Sequence, residues 1–229
     1  MRLVGWNANH NIRRRTFEES VAILEPFAAD VLVISETAKP QPEDLAFYVG
    51  GEPGLAVVAR DGIELLPHPM NDGALPLLAG CHVSGPVSFD LLATWTVEGK
   101  GRSYHHVLMA ALQRYAELWA SGNAVMLGDF NSTTRAVAQI RSHPKFVQAA
   151  RDRGLVSAYH EQTGEAHGEE SVATYRHNNG DLFHVDYGFV SQLLVGSVRC
   201  RIAEEPSWFE IGDHRPIILD IDDAALAGR

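Results

Sequence analysis

The chain has 229 residues, 45% of them hydrophobic and 21% charged, with 29 Asp+Glu against 19 Lys+Arg and a formal net charge of -10. That length allows one substantial core or two small ones, and the acidity argues against a broad electrostatic grip on duplex nucleic acid while leaving room for local basic patches. The longest apolar runs fall well short of the roughly 18–20 residues that cross a bilayer. Met1-Arg2-Leu3-Val4-Gly5-Trp6-Asn7 enters a strand-like run without a leader pattern. Cys81 and Cys200 lie far apart, with no ligand-like partner nearby. These features predict a soluble, cytoplasmic protein with reduced thiols.

In chain order, strands are expected over 3–7, 31–35, 46–49, 55–60, 63–67, 77–83, 89–97, 124–127, 173–175, 183–190, 197–202 and 216–221, with Gly, Pro, Asn or Asp between most of them. A helix is expected over 16–29, opened by Thr16 and Glu19 at capping-box spacing. A second covers 103–120, where Val107, Leu108, Ala111, Leu112, Tyr115, Leu118 and Trp119 recur at three- and four-residue steps. A third spans 133–153, broken before Pro144 and closed by Gly154. Residues 161–171 read as a loop. Many strands with few helices, and no strict βαβ alternation, predict an α+β sandwich with two sheets face to face and helices outside. One domain is expected over 1–222, with 223–229 as a frayed tail.

Polar residues collect at strand ends: Asn7, Glu36, Asp129 with Asn131, Asp186, and Asp213 with His214. Carboxylate, amide and imidazole delivered to one place by five strand ends suit metal-assisted phosphoester chemistry. Mg2+ or Mn2+ prefers oxygen ligands and keeps waters, so a few carboxylates suffice and no cysteine is needed. Asp186 lies between Val185 and Tyr187, an apolar setting in which a carboxylate needs a partner.

Taken together, Trp6-Asn7-Ala8-Asn9, Ile34-Ser35-Glu36-Thr37, Gly128-Asp129-Phe130-Asn131, His184-Val185-Asp186-Tyr187 and Gly212-Asp213-His214-Arg215-Pro216-Ile217 resemble, in order and spacing, the motifs of the endonuclease/exonuclease/phosphatase superfamily. The resemblance runs from Asn7 to Asp220. It implies a four-layered α/β/β/α sandwich similar to the deoxyribonuclease I-like fold and a phosphodiesterase dependent on Mg2+ or Mn2+, with a nuclease as the leading subclass. Glu36 would bind the metal, with Asp213 as a second or water-bridged ligand. Asn7 would orient the phosphate or Asp129, Asp129 would hold or deprotonate the attacking water, and Asn131 would position the same region. Asp186 would fix the tautomer of His214, which would stabilise the phosphate oxyanion or take a proton. Tyr104 would donate to a non-bridging oxygen.

Three positions depart from that pattern. Asn9 stands where abasic-site endonucleases carry Asp. Thr94-Trp95 stands where many superfamily phosphatases carry Thr-His, with His82 on the preceding strand as a candidate replacement. Gly212 stands where Ser is usual. Asn9 and Arg13 fall on an expected rim loop, where the Arg13-Arg14-Arg15 run either grips phosphate or simply leads into the helix. His160, Thr174 and Trp208 are candidate substrate contacts; Trp208 and Phe209 either stack on a base or plug the end of the sandwich. Two alternatives stay open: a phosphatase or phosphodiesterase for a small or lipid-headgroup phosphoester, and a non-catalytic nucleic-acid-binding module on the same fold.

Overall fold

The computed structural model describes residues 1–42, 46–71, 73–99 and 101–222. The expected tail, 223–229, lies outside the described residues. Among them, one sheet of six strands runs β13 (Val198–Ile202), β14 (Ile217–Ile221), β1 (Arg2–Asn7), β2 (Val31–Thr37), β4 (Gly54–Ala59) and β3 (Phe47–Gly50). A second runs β5 (Glu64–Pro67), β6 (Leu78–Ser84), β7 (Phe89–Trp95), β8 (Ala124–Asp129), β12 (Asp186–Ser191) and β9 (Leu155–Ser157). A short ribbon pairs β10 (Tyr175–Arg176) with β11 (Leu182–Phe183).

Strand periodicity builds the layers. Side chains alternate between the faces of a strand, and the central strands are apolar on both. Leu3, Val31, Val33, Leu91, Ala93, Val125 and Leu127 pack between the sheets. Their neighbours Leu92, Ala124 and Met126 face α3 (Tyr104–Arg114), α4 (Ala116–Ala120) and α5 (Ser142–Arg151), meeting Leu108, Leu112 and Phe146. On the other side Val4, Trp6, Leu32 and Ile34 meet Leu24 of α2 (Phe17–Leu24). Both sheets are therefore covered on both faces, which is the expected α/β/β/α order.

Several boundaries differ from the sequence expectation. The first helix has its capping box, with Thr16 Oγ1 accepting from Glu19 N at 3.2 Å, but it ends at Leu24 and continues only as a 3-10 turn over Glu25–Phe27. Pro26 lacks the N–H that another α turn needs. The helix over 103–120 is two, α3 and α4, hinged at Tyr115 with φ -95 and ψ 31. The third helix starts at Ser142 instead of breaking before Pro144. Pro144 sits in the first turn, where a missing N–H costs no hydrogen bond. Gly154 takes φ +74 beyond its end, as expected. The run 183–190 is split between β11 and β12, and a short helix, α6 (Ala158–Thr163), takes in the first three residues of the expected loop over 161–171. Short helices α1 (His10–Arg13) and α7 (Trp208–Ile211), and the strand β9, had no clear sequence signal.

Candidate active site

The strand alternation that fills the sandwich also assembles the site. Leu3, Gly5 and Asn7 share one face of β1, and Val125, Leu127 and Asp129 share one face of β8; both faces look between the sheets. Gly5 lets the two strands approach, since a Cβ there would lie 3.1 Å from Leu127 Cδ1. At the end of these inward rows the apolar side chains give way to Asn7 and Asp129. Asn7 Nδ2 donates to Asp129 Oδ2 at 3.0 Å. Asp186 opens β12, which runs antiparallel to β8 and sets Asp186 directly opposite Asp129. Asp186 thus reaches the site from the start of its strand, at the same sheet end as the C-terminus of β8.

Asp129 is 1% exposed. Asn131 N donates to its Oδ1 at 2.8 Å, and Asn131 Nδ2 donates to Oδ2 at 2.9 Å and to the Thr96 carbonyl at 3.0 Å. Burial, with Asp186 opposite, pushes the Asp129 carboxyl up to about 7 even though His214 and the amide donors pull the other way. Gly128 is required within β8, in register with Thr94: at φ +139 a Cβ would sit 2.0 Å from the Thr94 carbonyl oxygen.

His214 Nδ1 bonds Asp186 Oδ2 at 2.8 Å, and both residues are buried. Burial opposes charge on the imidazole, but Asp186 and Asp129 prevail and raise it to about 10. Trp6 Nε1 donates to the His214 carbonyl at 3.2 Å and fixes the segment. Asp129, Asp186 and His214 bring one ligand atom each within 4.8 Å of one another.

Glu36 sits in a β-bulge of β2, between Ile34 and Thr37, at φ +48. Left-handed backbone in a non-glycine residue is costly and re-aims a side chain. Its Oε1 accepts from Asn11 Nδ2 at 2.9 Å. Asp213 Oδ1 is buried and has no hydrogen-bond partner. Both carboxylates act electrostatically on the Tyr175 hydroxyl, together with Asp129 and Tyr104. Burial comes first among the causes that raise this hydroxyl, followed by Asp213, Asp129, Tyr104 and Glu36. Tyr104, first residue of α3, is raised by burial, Glu98 and Asp129. Tyr175 packs 4.7 Å from His214 and bridges it through the backbone. This pairing joins residues distant in sequence.

Asn9 takes φ +51, and its N–H donates to Asn7 Oδ1 at 2.9 Å. With Ile12, Arg13, Arg176, His177 and Asp213 it lines a groove of about 410 Å³. Three of the candidate contacts lie elsewhere. Thr174 is fully buried and its Oγ1 accepts from the N–H groups of Val185 and Asp186, each at 3.0 Å, so it positions Asp186 from behind. Trp208 stacks on Phe27 at 5.5 Å and meets Trp6 edge-on at 6.0 Å; it plugs the sandwich end and presents no face to a base. His160 belongs to a separate histidine cluster with His167 and Glu170.

The departures from the family pattern also have physical readings. Trp95 lies beside Asp129 in register, in the place of the absent histidine. His82 bonds Asp90 Oδ1 at 2.9 Å, and Asp90 is paired with Ala124 at the start of β8. Five strand steps, about 16 Å, separate that end from Asp129, so His82 does not replace it. At Gly212 a Cβ would meet nothing closer than 3.7 Å, which leaves room for Ser.

No family model and no curated protein matches the chain. Solved structures do. The 3' phosphatase NExo from Neisseria, bound to a product DNA hairpin, superposes with a TM-score of 0.72 at 18% identity, covering 97% of this chain and 99% of that one. An AP endonuclease from Archaeoglobus fulgidus gives 0.65 at 16%, covering 97% and 99%. Truncated TDP2 from Caenorhabditis elegans gives 0.67 at 13%, covering 95% and 96%. Matched over nearly their whole lengths at such identities, these structures establish the architecture: the chain has a deoxyribonuclease I-like fold.

Proposed function

We propose that this chain is a divalent-metal-dependent phosphodiesterase that cleaves nucleic acid. The observation that carries the reading is the pair of buried networks meeting at one sandwich end, Asn7–Asp129–Asn131 and Asp186–His214. Their ionisation states are complementary: a carboxyl raised to about 7 beside an imidazole raised to about 10. That is the pairing expected of a base and a charge stabiliser working near neutral pH.

The metal would be held by Glu36 and Asp213. The donors are carboxylate oxygens, and the unpartnered, buried Asp213 Oδ1 is a polar atom that a cation would satisfy. Such a set suits Mg2+ or Mn2+. When bound, the ion supplies positive charge to the phosphoryl and leaving oxygens. The protein's own groups do the rest. Asp129, with both oxygens fixed, takes a proton from the attacking water. His214, oriented through Nδ1 by Asp186, presents Nε2–H to a phosphoryl oxygen. Tyr104 and Tyr175 supply neutral hydroxyl donors beside it.

Arg13, Arg176 and His177 give the adjoining groove a basic rim on an otherwise acidic chain. This favours a polyanionic substrate and local steering. One neighbour points the same way, a 3' phosphatase bound to a product DNA hairpin. Arg13→Ala is expected to raise KM for an oligonucleotide and flatten its salt dependence, leaving kcat on bis-p-nitrophenyl phosphate near wild type. A panel of abasic duplex, single-stranded DNA and RNA, 3'-phosphorylated DNA, inositol phosphates and sphingomyelin, run with Mg2+ and with Mn2+, tests the substrate class. Turnover confined to the last two would overturn the nucleic-acid reading.

The pH profile follows from the two shifted groups. Asp129 must be deprotonated and His214 protonated, so kcat/KM rises as pH climbs through about 7 and declines toward about 10. An acid limb at the ordinary carboxylate value, about 4, would contradict the assignment of Asp129 as base.

Among the described residues no helix is long and apolar enough to cross a membrane. We place the protein in the cytosol, a reading supported by Cys81 and Cys200, both buried free thiols pushed up to about 12 by burial.

A further inference from the structure

β8 lies between β7 and β12, so Asp129 has Trp95 on one side and Asp186 on the other. The Asp186 side leads through His214 and Tyr175 to Arg176 and the basic groove. The Trp95 side leads to a cavity of about 370 Å³ that the proposed chemistry does not use. Its size falls in the range of small-ligand sites, about 300–1,000 Å³. Leu75, Leu77, Trp95, Val97 and Val107 supply apolar walls, and Glu98 and Arg102 add one charge of each sign.

Trp95 connects this cavity to the site. With Leu91 and Ala93 it belongs to the inward-facing row of β7, and register partners on neighbouring strands point to the same face. Its indole and the Asp129 carboxylate therefore share one rim of the sandwich. The backbone behind them is tied together: Thr96 N donates to the Asp129 carbonyl at 3.0 Å, and Asn131 Nδ2 donates to the Thr96 carbonyl at 3.0 Å. The far wall is tied as well. Trp95 N donates to the Leu77 carbonyl at 3.0 Å, and Arg102 Nη1 donates to the Ala74 carbonyl at 3.1 Å. The space is thus built before a ligand arrives, which lowers the ordering cost of binding.

From this juxtaposition we infer, on the phosphodiesterase reading above, that the Trp95 cavity is a nucleobase subsite. It takes the base of a nucleotide adjoining the phosphodiester on which Asp129 acts, and Trp95 and Val97 set the preference for it. Three features select the occupant. It is joined to the reacting phosphate, since Trp95 and Asp129 are strand partners. Its faces are apolar, to match the walls. Its edge carries donors and acceptors, to meet the Glu98 carboxylate and the Arg102 guanidinium. A base has all three. An acyl chain offers the two charged groups nothing, and a second phosphate is repelled by Glu98; phosphates belong on the opposite flank, with Arg13 and Arg176. This gives the tryptophan in the place of the absent histidine a role of its own.

The test compares an intact hexanucleotide with a set in which a tetrahydrofuran residue replaces each nucleotide in turn. Dissociation constants are measured in chelator, and kcat/KM in Mg2+ or Mn2+. The wild type is expected to favour the base at a position adjoining the cleaved phosphodiester by roughly 10-fold in both, the scale of one base held against an aromatic side chain. Trp95→Leu should bring that ratio close to one, and Trp95→Phe should restore most of it. Val97 is 42% exposed and so accepts a polar side chain; Val97→Asp puts a second carboxylate at the mouth and should also lower the ratio. Equal handling of intact and tetrahydrofuran strands by the wild type would overturn the subsite. So would a preference confined to positions away from the cleaved bond, or a ratio that Trp95→Leu and Val97→Asp both leave unchanged. No turnover of any strand with either metal would count against the phosphodiesterase reading instead, and the dissociation constants of wild type and variants would still decide the subsite.

Discussion

Asp129→Ala is expected to lower metal-dependent hydrolysis of bis-p-nitrophenyl phosphate and of oligonucleotides by about 10²–10⁴-fold, the usual contribution of a positioned general base, with the fold retained. Both parts follow from the geometry. Asn7 and Asn131 hold the two carboxylate oxygens of Asp129 through three hydrogen bonds, and no other described carboxylate stands in that place. Removing it strands two amide donors, at about 1–3 kcal/mol for each group left unsatisfied. It also removes a buried carboxylate facing Asp186, so the two effects on stability partly cancel. Circular dichroism and thermal melting should therefore show a folded protein of near-normal Tm without turnover. Full activity in this variant would remove Asp129 from the chemistry.

The largest loss of stability is expected from His214→Ala. Asp186 is 1% exposed and its carboxylate is bonded to His214 at 2.8 Å. Taking away the imidazolium leaves a buried charge uncompensated, which costs about 3–5 kcal/mol, or roughly 10 °C in Tm for a chain of this size. Activity should be lost as well. Asp186→Asn keeps a hydrogen-bond acceptor for the ring but removes the charge that raises it. The alkaline limb of the pH profile should then move down from about 10 toward the ordinary histidine value. The double variant gives the sharpest sign: Asp186→Asn introduced into His214→Ala should recover part of the lost Tm, because the uncompensated charge is gone. If the second substitution instead adds its own penalty, the two side chains are not coupled as the structure has them.

Much of the site was legible in the sequence because β-strands keep strict account of facing. Asn7 and Asp129 each extend a row of inward apolar residues, and a polar residue closing such a row marks the rim of the sandwich. The pairing of Asp186 with His214 was implied by the family resemblance and agrees with the need of a buried carboxylate for a partner. What escaped depends on contacts between distant segments. Tyr175 has no local signature; it stands beside His214 because residues 174–176 hydrogen-bond with 213–215. Thr174 and Trp208 were visible as side chains capable of contacting a substrate, and only packing shows that one bonds backbone N–H groups and the other fills a hole beside Trp6 and Phe27. The histidines at 143, 160, 167 and 184 have no regular spacing, since a helix, a short strand and a turn intervene before they converge. Helix ends went astray at prolines: the expected helix over 16–29 ran through Pro26, which stops it, whereas Pro144, read as a break, stands in the opening turn of one.

Metal-dependent phosphodiester cleavage at the end of β1 and β8 is the activity expected of this chain. The direct measurement is hydrolysis of bis-p-nitrophenyl phosphate by the chelator-stripped protein, before and after addition of Mg2+ or Mn2+, with Asp129→Ala and Glu36→Gln in parallel. The predicted result is no turnover without metal, recovery with either ion in the wild type, none in Asp129→Ala, and a raised metal requirement in Glu36→Gln. Equal rates with and without the chelator, or wild-type rates in Asp129→Ala, would contradict it.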